Sequence, residues 1–189
     1  MQNKEKAQHS ILFFVLILVC PVQAQTKNMS YHEASTLISF ASGDSLRALT
    51  LGNFQYTYHL DRTFWVGTNF LGGKTQVDDP NGLALDSSDL FLGVDGTFYV
   101  NIPALLGAKE KGDDGVYADL YTAVGVGVFW IGSHTEPYGF LGGGMLLHTP
   151  ISWLGVRFDL KNFFYKLKNN QGTDFNSDLA LSLGPSFLF

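Results

Sequence analysis

The sequence predicts an all-β fold, an eight-stranded antiparallel up-and-down barrel, and three observations carry that expectation. Side-chain polarity alternates with a period of two through most of the 189 residues, not with the 3.6 of a helix. The alternating segments are separated by short turns or by stretches rich in Asp, Asn and Gly. On the three clearest segments, the face opposite the apolar one contains no Lys, Arg or Glu.

Taken in order, the first strand is expected near Thr36 to Ser42, although Tyr31 to Ile38 reads equally well as the start of a short helix. Leu49 to Leu60 sets Phe54, Tyr56, Tyr58 and Leu60 against Asn53, Gln55, Thr57 and His59. Phe64 to Thr75 places Phe64, Val66, Thr68 and Phe70 on one side. Leu90 to Ile102 alternates Leu90, Leu92, Val94, Gly96, Phe98 and Val100 with Phe91, Gly93, Asp95, Thr97, Tyr99 and Asn101. Val116 to Trp130 does the same, with Tyr117, Asp119, Tyr121, Ala123, Gly125, Gly127 and Phe129 on the second face. Tyr138 to His148 is too Gly-rich for its faces to be read. Ser152 to Lys166 opposes Leu154, Val156, Phe158 and Leu160 to Gly155, Arg157, Asp159 and Lys161. In Asp178 to Phe189, the residues Leu179, Leu181, Leu183, Pro185, Phe187 and Phe189 share a face.

Leu60 to Thr63 and Thr149 to Ile151 read as tight turns; Asp78 to Asp89, Gly132 to Pro137 and Asn169 to Ser177 read as exposed loops. Ala104 to Gly115 is a long connection where alternation predicts a short one. No repeat of 20–50 residues and no low-complexity segment is present, so one domain is expected.

Residues 1–24 read as a cleaved secretory signal peptide. Lys4 and Lys6 precede ten apolar residues, Ile11 to Cys20, and Val22-Gln23-Ala24 offers a small-residue cleavage site. A ten-residue helix reaches only about 15 Å, half of a hydrocarbon core. The expected organisation is therefore 1–24 signal peptide, 25–34 N-terminal segment and 35–189 barrel. Cleavage removes Lys4, Glu5 and Lys6, which leaves 10 basic against 16 acidic residues, a formal charge of −6. It also removes Cys20, the one cysteine, so no disulfide framework is available. With 46% hydrophobic and 15% charged residues the chain is not disordered. No run of about 18 apolar residues follows residue 20, which excludes a helical span. The acidic balance gives no reason to expect nucleic acid.

Water or lipid can lie outside such a barrel, and the composition of the polar face decides. A sheet facing water carries many charges. A narrow lumen instead takes small residues and hydrogen-bonding aromatics with a few paired charges. The opposite face is free of charge over about ten residues per strand, the length that crosses a bilayer at a tilt. The expectation is thus an eight-stranded antiparallel up-and-down transmembrane β-barrel, with acyl chains against the Leu/Val/Phe side. Closure satisfies every backbone group internally, as lipid demands. Tyr58, Trp65, Trp153, Phe187 and Phe189 near the short turns, and Phe70, Trp130, Tyr138, Phe164 and Tyr165 near the long loops, are expected to form two aromatic girdles.

The signal, the eight amphipathic strands and the terminal Leu-Ser-Leu-Gly-Pro-Ser-Phe-Leu-Phe together resemble a small outer-membrane β-barrel of the OmpA type. More narrowly, Gly142 to Leu147, Trp153 to Asn162 and Phe54 to Leu60 resemble the outer membrane beta-barrel domain family of Gram-negative bacteria. That resemblance covers roughly residues 35–189 and implies handling of Phe189 by the barrel-assembly machinery. It brings no catalytic residues.

No phosphate-binding loop, His-Glu-x-x-His, Cys cluster or Gly-x-Ser-x-Gly is present, and no catalytic residue, cofactor or metal is expected. The glycine run 142–144 reads as close strand packing or a bend. Asp95, Asp119, Arg157, Asp159 and Lys161 are expected to face inward and to form one ion-pair network across the lumen, because an unpaired buried charge costs several kcal/mol. His59, His134 and His148 read as capping or girdle residues at strand ends, with His148 and Ser152 as the one loose catalytic candidate. The acids Asp78, Asp79 and Asp86 read as solvated loop charge.

The expected role is structural or surface-interactive, in a monomer whose partners are outer-membrane lipids and, during biogenesis, the assembly machinery. Two alternatives stay open: an outer-membrane lipid-modifying enzyme, and a soluble periplasmic lipid-binding barrel.

Overall fold

A computed structural model describes residues 31–43, 49–74, 90–107, 116–131, 134–169 and 172–189. Eight strands follow one another around a closed antiparallel barrel: β1 (Tyr31–Gly43), β2 (Leu49–His59), β3 (Phe64–Lys74), β4 (Leu90–Asn101), β5 (Tyr117–Ile131), β6 (His134–His148), β7 (Leu154–Asn169) and β8 (Gly172–Leu188). β8 returns to β1, and the two are tied by reciprocal bonds between His32 and Phe189, N to O 2.8 and 2.9 Å. No sheet edge is left along the closed part of the wall, which removes the unpaired donors that lipid would penalise.

The alternation read from sequence sorts the residues as expected. Phe40, Phe54, Phe70, Phe98, Val126, Leu141 and Leu183 point outward, between 41% and 71% exposed. Their neighbours of opposite parity are buried inside the barrel, among them Gln55, Asn69, Asp95, Tyr99, Tyr121, Arg157 and Ser182. Such inversion, with apolar residues out and polar residues in, is the reverse of a soluble domain.

Several boundaries differ from the expectation. The first strand begins at Tyr31, so residues 31–34 belong to the barrel and no helix starts there. Cross-strand pairing from Tyr31↔His59 onward holds that segment extended. Within the two stretches expected as loops, residues 134–137, 169 and 172–177 lie in strands. β6 begins at His134, β7 runs to Asn169, and β8 begins at Gly172. The signal-peptide segment and Asp78, Asp79 and Asp86 lie outside the described residues.

The end at which β1 starts and β8 stops is called lower. Here Asp61 shapes the β2–β3 turn by accepting from the Thr63 and Phe64 N–H groups at 2.6 and 2.8 Å. The unexpected long connection after β4 opens with a one-turn helix, α1 (Ile102–Leu105), also at the lower end. Asn101 caps it through a 3.1 Å bond from the Ala104 N–H to Oδ1, and Pro103 sits in the first turn, where its missing N–H costs nothing.

Candidate functional site

The lumen is the part of the molecule whose chemistry needs explaining, since it buries charge. Its lower half centres on Arg157, which enters from β7 and is fully buried together with Glu33 of β1. Arg157 Nη1 donates to Glu33 Oε1 at 2.8 Å, and Nε reaches Asp159 Oδ1 at 3.3 Å. The guanidinium is flanked by the rings of Tyr99 and Tyr121, with centroids 4.9 and 4.7 Å away. Assigned by its surroundings, the Gln55 amide turns its oxygen to Arg157 Nη2 at 2.8 Å and donates to Asn69 Oδ1 and Asp159 Oδ2 at 2.9 and 3.1 Å. Glu33 also accepts from Ser35 at 3.0 Å, Ser186 at 2.6 Å and the His59 Nε2 atom at 3.0 Å. Tyr121 donates to Asp159. A buried ion pair saturated with hydrogen bonds in this way is the condition under which its desolvation is offset.

Gly144 makes this arrangement possible. A Cβ there would meet Tyr121 Oη at 2.6 Å, Asp159 Oδ1 at 2.8 Å and the Phe158 carbonyl oxygen. The glycine run therefore serves close strand packing, at the point where two polar side chains cross the lumen.

The five acids and bases expected in one network separate into groups. Arg157 and Asp159 form its heart, and the acid that completes it, Glu33, was not foreseen. Asp95 stands higher, bonded to Asn69, Thr97 at 2.8 Å and Tyr138 at 2.9 Å, without a basic partner in that group. Asp119 pairs with Asn101 and with His148, both at 2.8 Å. Lys161 lies with Nζ 4.8 Å from the Phe140 ring centre, a cation–π contact instead of an ion pair. The single ion-pair network is corrected: Arg157, Asp159 and Glu33 form the charged centre, Asp95 joins it only through the Gln55 and Asn69 amides, Asp119 pairs with His148, and Lys161 makes a cation–π contact, because cross-strand register and not strand membership selects partners.

Asp119 and His148 belong to a device that occurs twice. In β1–β2, Tyr31 lies opposite His59 in the register, stacks on it at 3.9 Å, and Glu33 two residues on binds His59 Nε2. In β5–β6, Tyr117 lies opposite His148, stacks on it at 4.1 Å, and Asp119 two residues on binds His148 Nε2. Each half of the barrel thus seals its lower mouth with a tyrosine-roofed His–carboxylate pair. His59 and His148 are lumen residues, not girdle or capping residues. Ser152 is exposed in the turn 149–153, whereas His148 is buried. The side chain of His134 lies outside the described residues. His148→Ala should lower stability by about 1–3 kcal/mol, the cost of leaving a buried acceptor on Asp119 unpaired; a denaturant titration of the refolded barrel checks it.

The girdle expectation needs correction at three rings. Trp65, 1% exposed, packs inside against His59 at 4.1 Å and Tyr121 at 5.3 Å. Tyr138 and Tyr165 are buried in the upper lumen, their hydroxyls donating to Asp95 and Asp178. The reason is parity: a strand with Phe64 and Val66 outward must turn Trp65 inward. Phe70, Trp130, Trp153, Phe187 and Phe189 do point outward, between 40% and 67% exposed; Phe164 and Tyr58 are partly exposed. Trp153 and Phe187 stack across β7 and β8 at 6.2 Å.

No protein-family model matches the chain, and no curated protein sequence does. Solved structures do match. Neisserial surface protein A superimposes with a TM-score of 0.53 at 10% identity over 84% of this chain and 96% of that one. A de novo designed transmembrane β-barrel gives 0.47 at 11% identity over 88% and 100%. Ail, the attachment invasion locus protein of Yersinia pestis, gives 0.38 at 14% over 87% and 100%. Of these three, the first exceeds 0.5, and at its low identity the likeness concerns fold: the chain has the closed eight-stranded antiparallel barrel of an outer-membrane protein.

Proposed function

We propose that this chain is an integral outer-membrane barrel with a side-chain-filled lumen, structural or surface-interactive in role, and neither an enzyme nor a bulk pore. One observation carries the reading. The outward face is a continuous apolar wall, while every charged residue of the lower lumen is buried with hydrogen-bonded partners. A soluble lipid-binding barrel would place its apolar face toward the axis, which is the reverse arrangement. Eight strands leave room for side chains and not for a diffusion channel.

The finer statements follow the same reading. The apolar wall meets outer-membrane lipids, the signal segment delivers the chain across the inner membrane, and the barrel is a monomer of the OmpA type from a Gram-negative envelope. Phe189, seated on β1 through His32, is the C-terminal signal read by the assembly machinery. The Asp119–His148 pair has a structural task in closing the lower mouth, and Ser152 stands apart from it in an exposed turn. A lipid-modifying enzyme is accordingly the weaker reading.

Reconstitution tests the proposal. The folded protein should migrate faster on a gel before boiling than after, show no large stable conductance in planar bilayers, and leave labelled lipid A intact. A species whose migration is insensitive to boiling and which fractionates with the periplasm would refute membrane insertion. Turnover of lipid A that His148→Ala abolishes would establish the enzyme instead.

A further inference from the structure

The upper half of the lumen differs in kind from the lower. A cavity of about 30 Å³ remains there, lined mainly by apolar and aromatic side chains, among them Leu71, Phe91, Phe129, Phe163 and Tyr165, with Asp178 as the acidic residue of its lining. Tyr138 and Tyr165 both line it, and their hydroxyls are committed to Asp95 and Asp178. Beneath lies the polar layer of Asn69, Asp95 and Thr97, so the cavity has a closed floor. Filling a narrow lumen requires no such apolar surface near the rim, where water would otherwise wet it at a cost.

The wall beside the cavity is also incomplete. Pairing of β6 with β7 stops at Tyr138↔Tyr165, two of the cavity's own residues. Above that rung β6 continues against β5 as far as Ile131↔His134, and β7 continues against β8 as far as Asn169↔Gly172. Two tall hairpins therefore part over the cavity. Pro137, next in β6, has no N–H with which to add a rung. At the foot of this seam the outer face carries Gly139, where a Cβ would meet nothing nearer than a carbonyl oxygen at 3.8 Å. Packing does not demand a glycine there, and its absent side chain leaves a notch. Leu141, 60% exposed, and Phe164, opposite Gly139 in the register, continue from the notch into the outward apolar wall.

We propose that the upper lumen is a dead-end binding site for one alkyl chain, entered through the seam between β6 and β7. The occupant is unbranched and apolar because the lining is aliphatic and aromatic apart from Asp178, whose carboxylate accepts from the Tyr165 hydroxyl. Its methyl end fills the cavity, and Phe163 and Tyr165, which flank the seam, swing aside for the methylenes behind it. The polar floor prevents passage onward, so the site holds a chain and does not conduct it. The continuity of the cavity with the outer wall rests on the reading of that wall as lipid-facing.

Photolabelling of the full chain in phosphatidylcholine vesicles tests this, with a ten-carbon fatty acid bearing a terminal diazirine in one arm and a phosphatidylcholine bearing the same group at a chain end in the other. Adducts are expected on Leu71, Phe129, Phe163 or Tyr165, in addition to outward Leu141 and Val126. Labelling of the inward set by the fatty acid alone identifies a free amphiphile as the source, and labelling by the phospholipid identifies the membrane. Leu71→Asn, which places an amide in the cavity, should lower the inward labelling about tenfold relative to the outward set. Gly139→Trp, which fills the notch from outside, should lower it as well without touching the lining. Outward adducts with no inward ones in either arm would overturn the site while sparing the membrane reading. Inward labelling that both substitutions leave unchanged would overturn it too. Absence of outward adducts from the phospholipid would instead count against the membrane reading itself.

Discussion

Arg157→Ala should lower the thermal midpoint of the folded barrel on the order of 10 °C. Removing one partner of a buried ion pair costs about 3–5 kcal/mol, and a chain of this length loses about 2–4 °C per kcal/mol. The mechanism is specific. Glu33 keeps its bonds from Ser35, Ser186 and His59 but loses its only guanidinium contact, and Asp159 keeps Tyr121 alone with Gln55. Two carboxylates then share a buried space with no full positive charge between them. The rings of Tyr99 and Tyr121, in edge contact with each other, also lose the cation they share. Combining Arg157→Met with both Glu33→Gln and Asp159→Asn should recover part of the loss, because the centre of the lower lumen then carries no charge that needs compensation. A thermal melt followed by gel migration measures both, and an Arg157→Ala barrel that melts like the wild type contradicts the account of the lower lumen.

Gly144→Val should prevent refolding in most molecules. Its Cβ would stand within contact of Tyr121 Oη, Asp159 Oδ1 and the Phe158 carbonyl, where no real side-chain carbon fits. Overpacking costs about 1–3 kcal/mol, and displacing the Tyr121–Asp159 bond adds about 1–3 kcal/mol more. Gly139→Val is the control, since its Cβ meets only the Gly125 carbonyl oxygen at 3.8 Å and its effect should stay within about 0.5 kcal/mol. The fraction of each variant that reaches the fast-migrating form on a gel decides. Equal yields from the two variants would mean that Gly144 has no special role.

These two residues also mark what a sequence can and cannot disclose. The faces of β2, β4, β5, β7 and β8 were legible because period two is a local property, fixed by successive Cβ atoms on opposite sides of a strand. The inward placement of Arg157, Asp159 and Lys161 follows from that alone. Their partners do not, since register is set by turns and by packing across the sheet. Glu33 was missed on this account: it joins Arg157 across 124 positions of chain, from a strand whose alternation, Glu33, Ser35, Leu37 and Ser39 against Ala34, Thr36, Ile38 and Phe40, is weak in polarity. Trp65 was legible and was misread, for Phe64 and Val66 had already fixed its side. Tyr138 was not legible, because the Gly-rich β6 offers no contrast between its faces. The twofold Tyr–His–carboxylate device escapes notice in one dimension, since its residues share a register and not a motif.

The most direct measurement uses the fact that the chain carries one cysteine, Cys20, which is outside the described residues. With Cys20 removed, single cysteines at positions 96 to 101, 121 to 124 and 126 carry a nitroxide, and collisions with oxygen and with a water-soluble nickel chelate are recorded in vesicles. If acyl chains lie against the leucines, valines and phenylalanines, Phe98, Val124 and Val126 should favour oxygen strongly, whereas the buried positions Tyr99, Tyr121 and Ala123 should be shielded from both. Oxygen preference that shows no two-residue period, or nickel access greatest at Phe98, Val124 and Val126, would place water where this account places lipid.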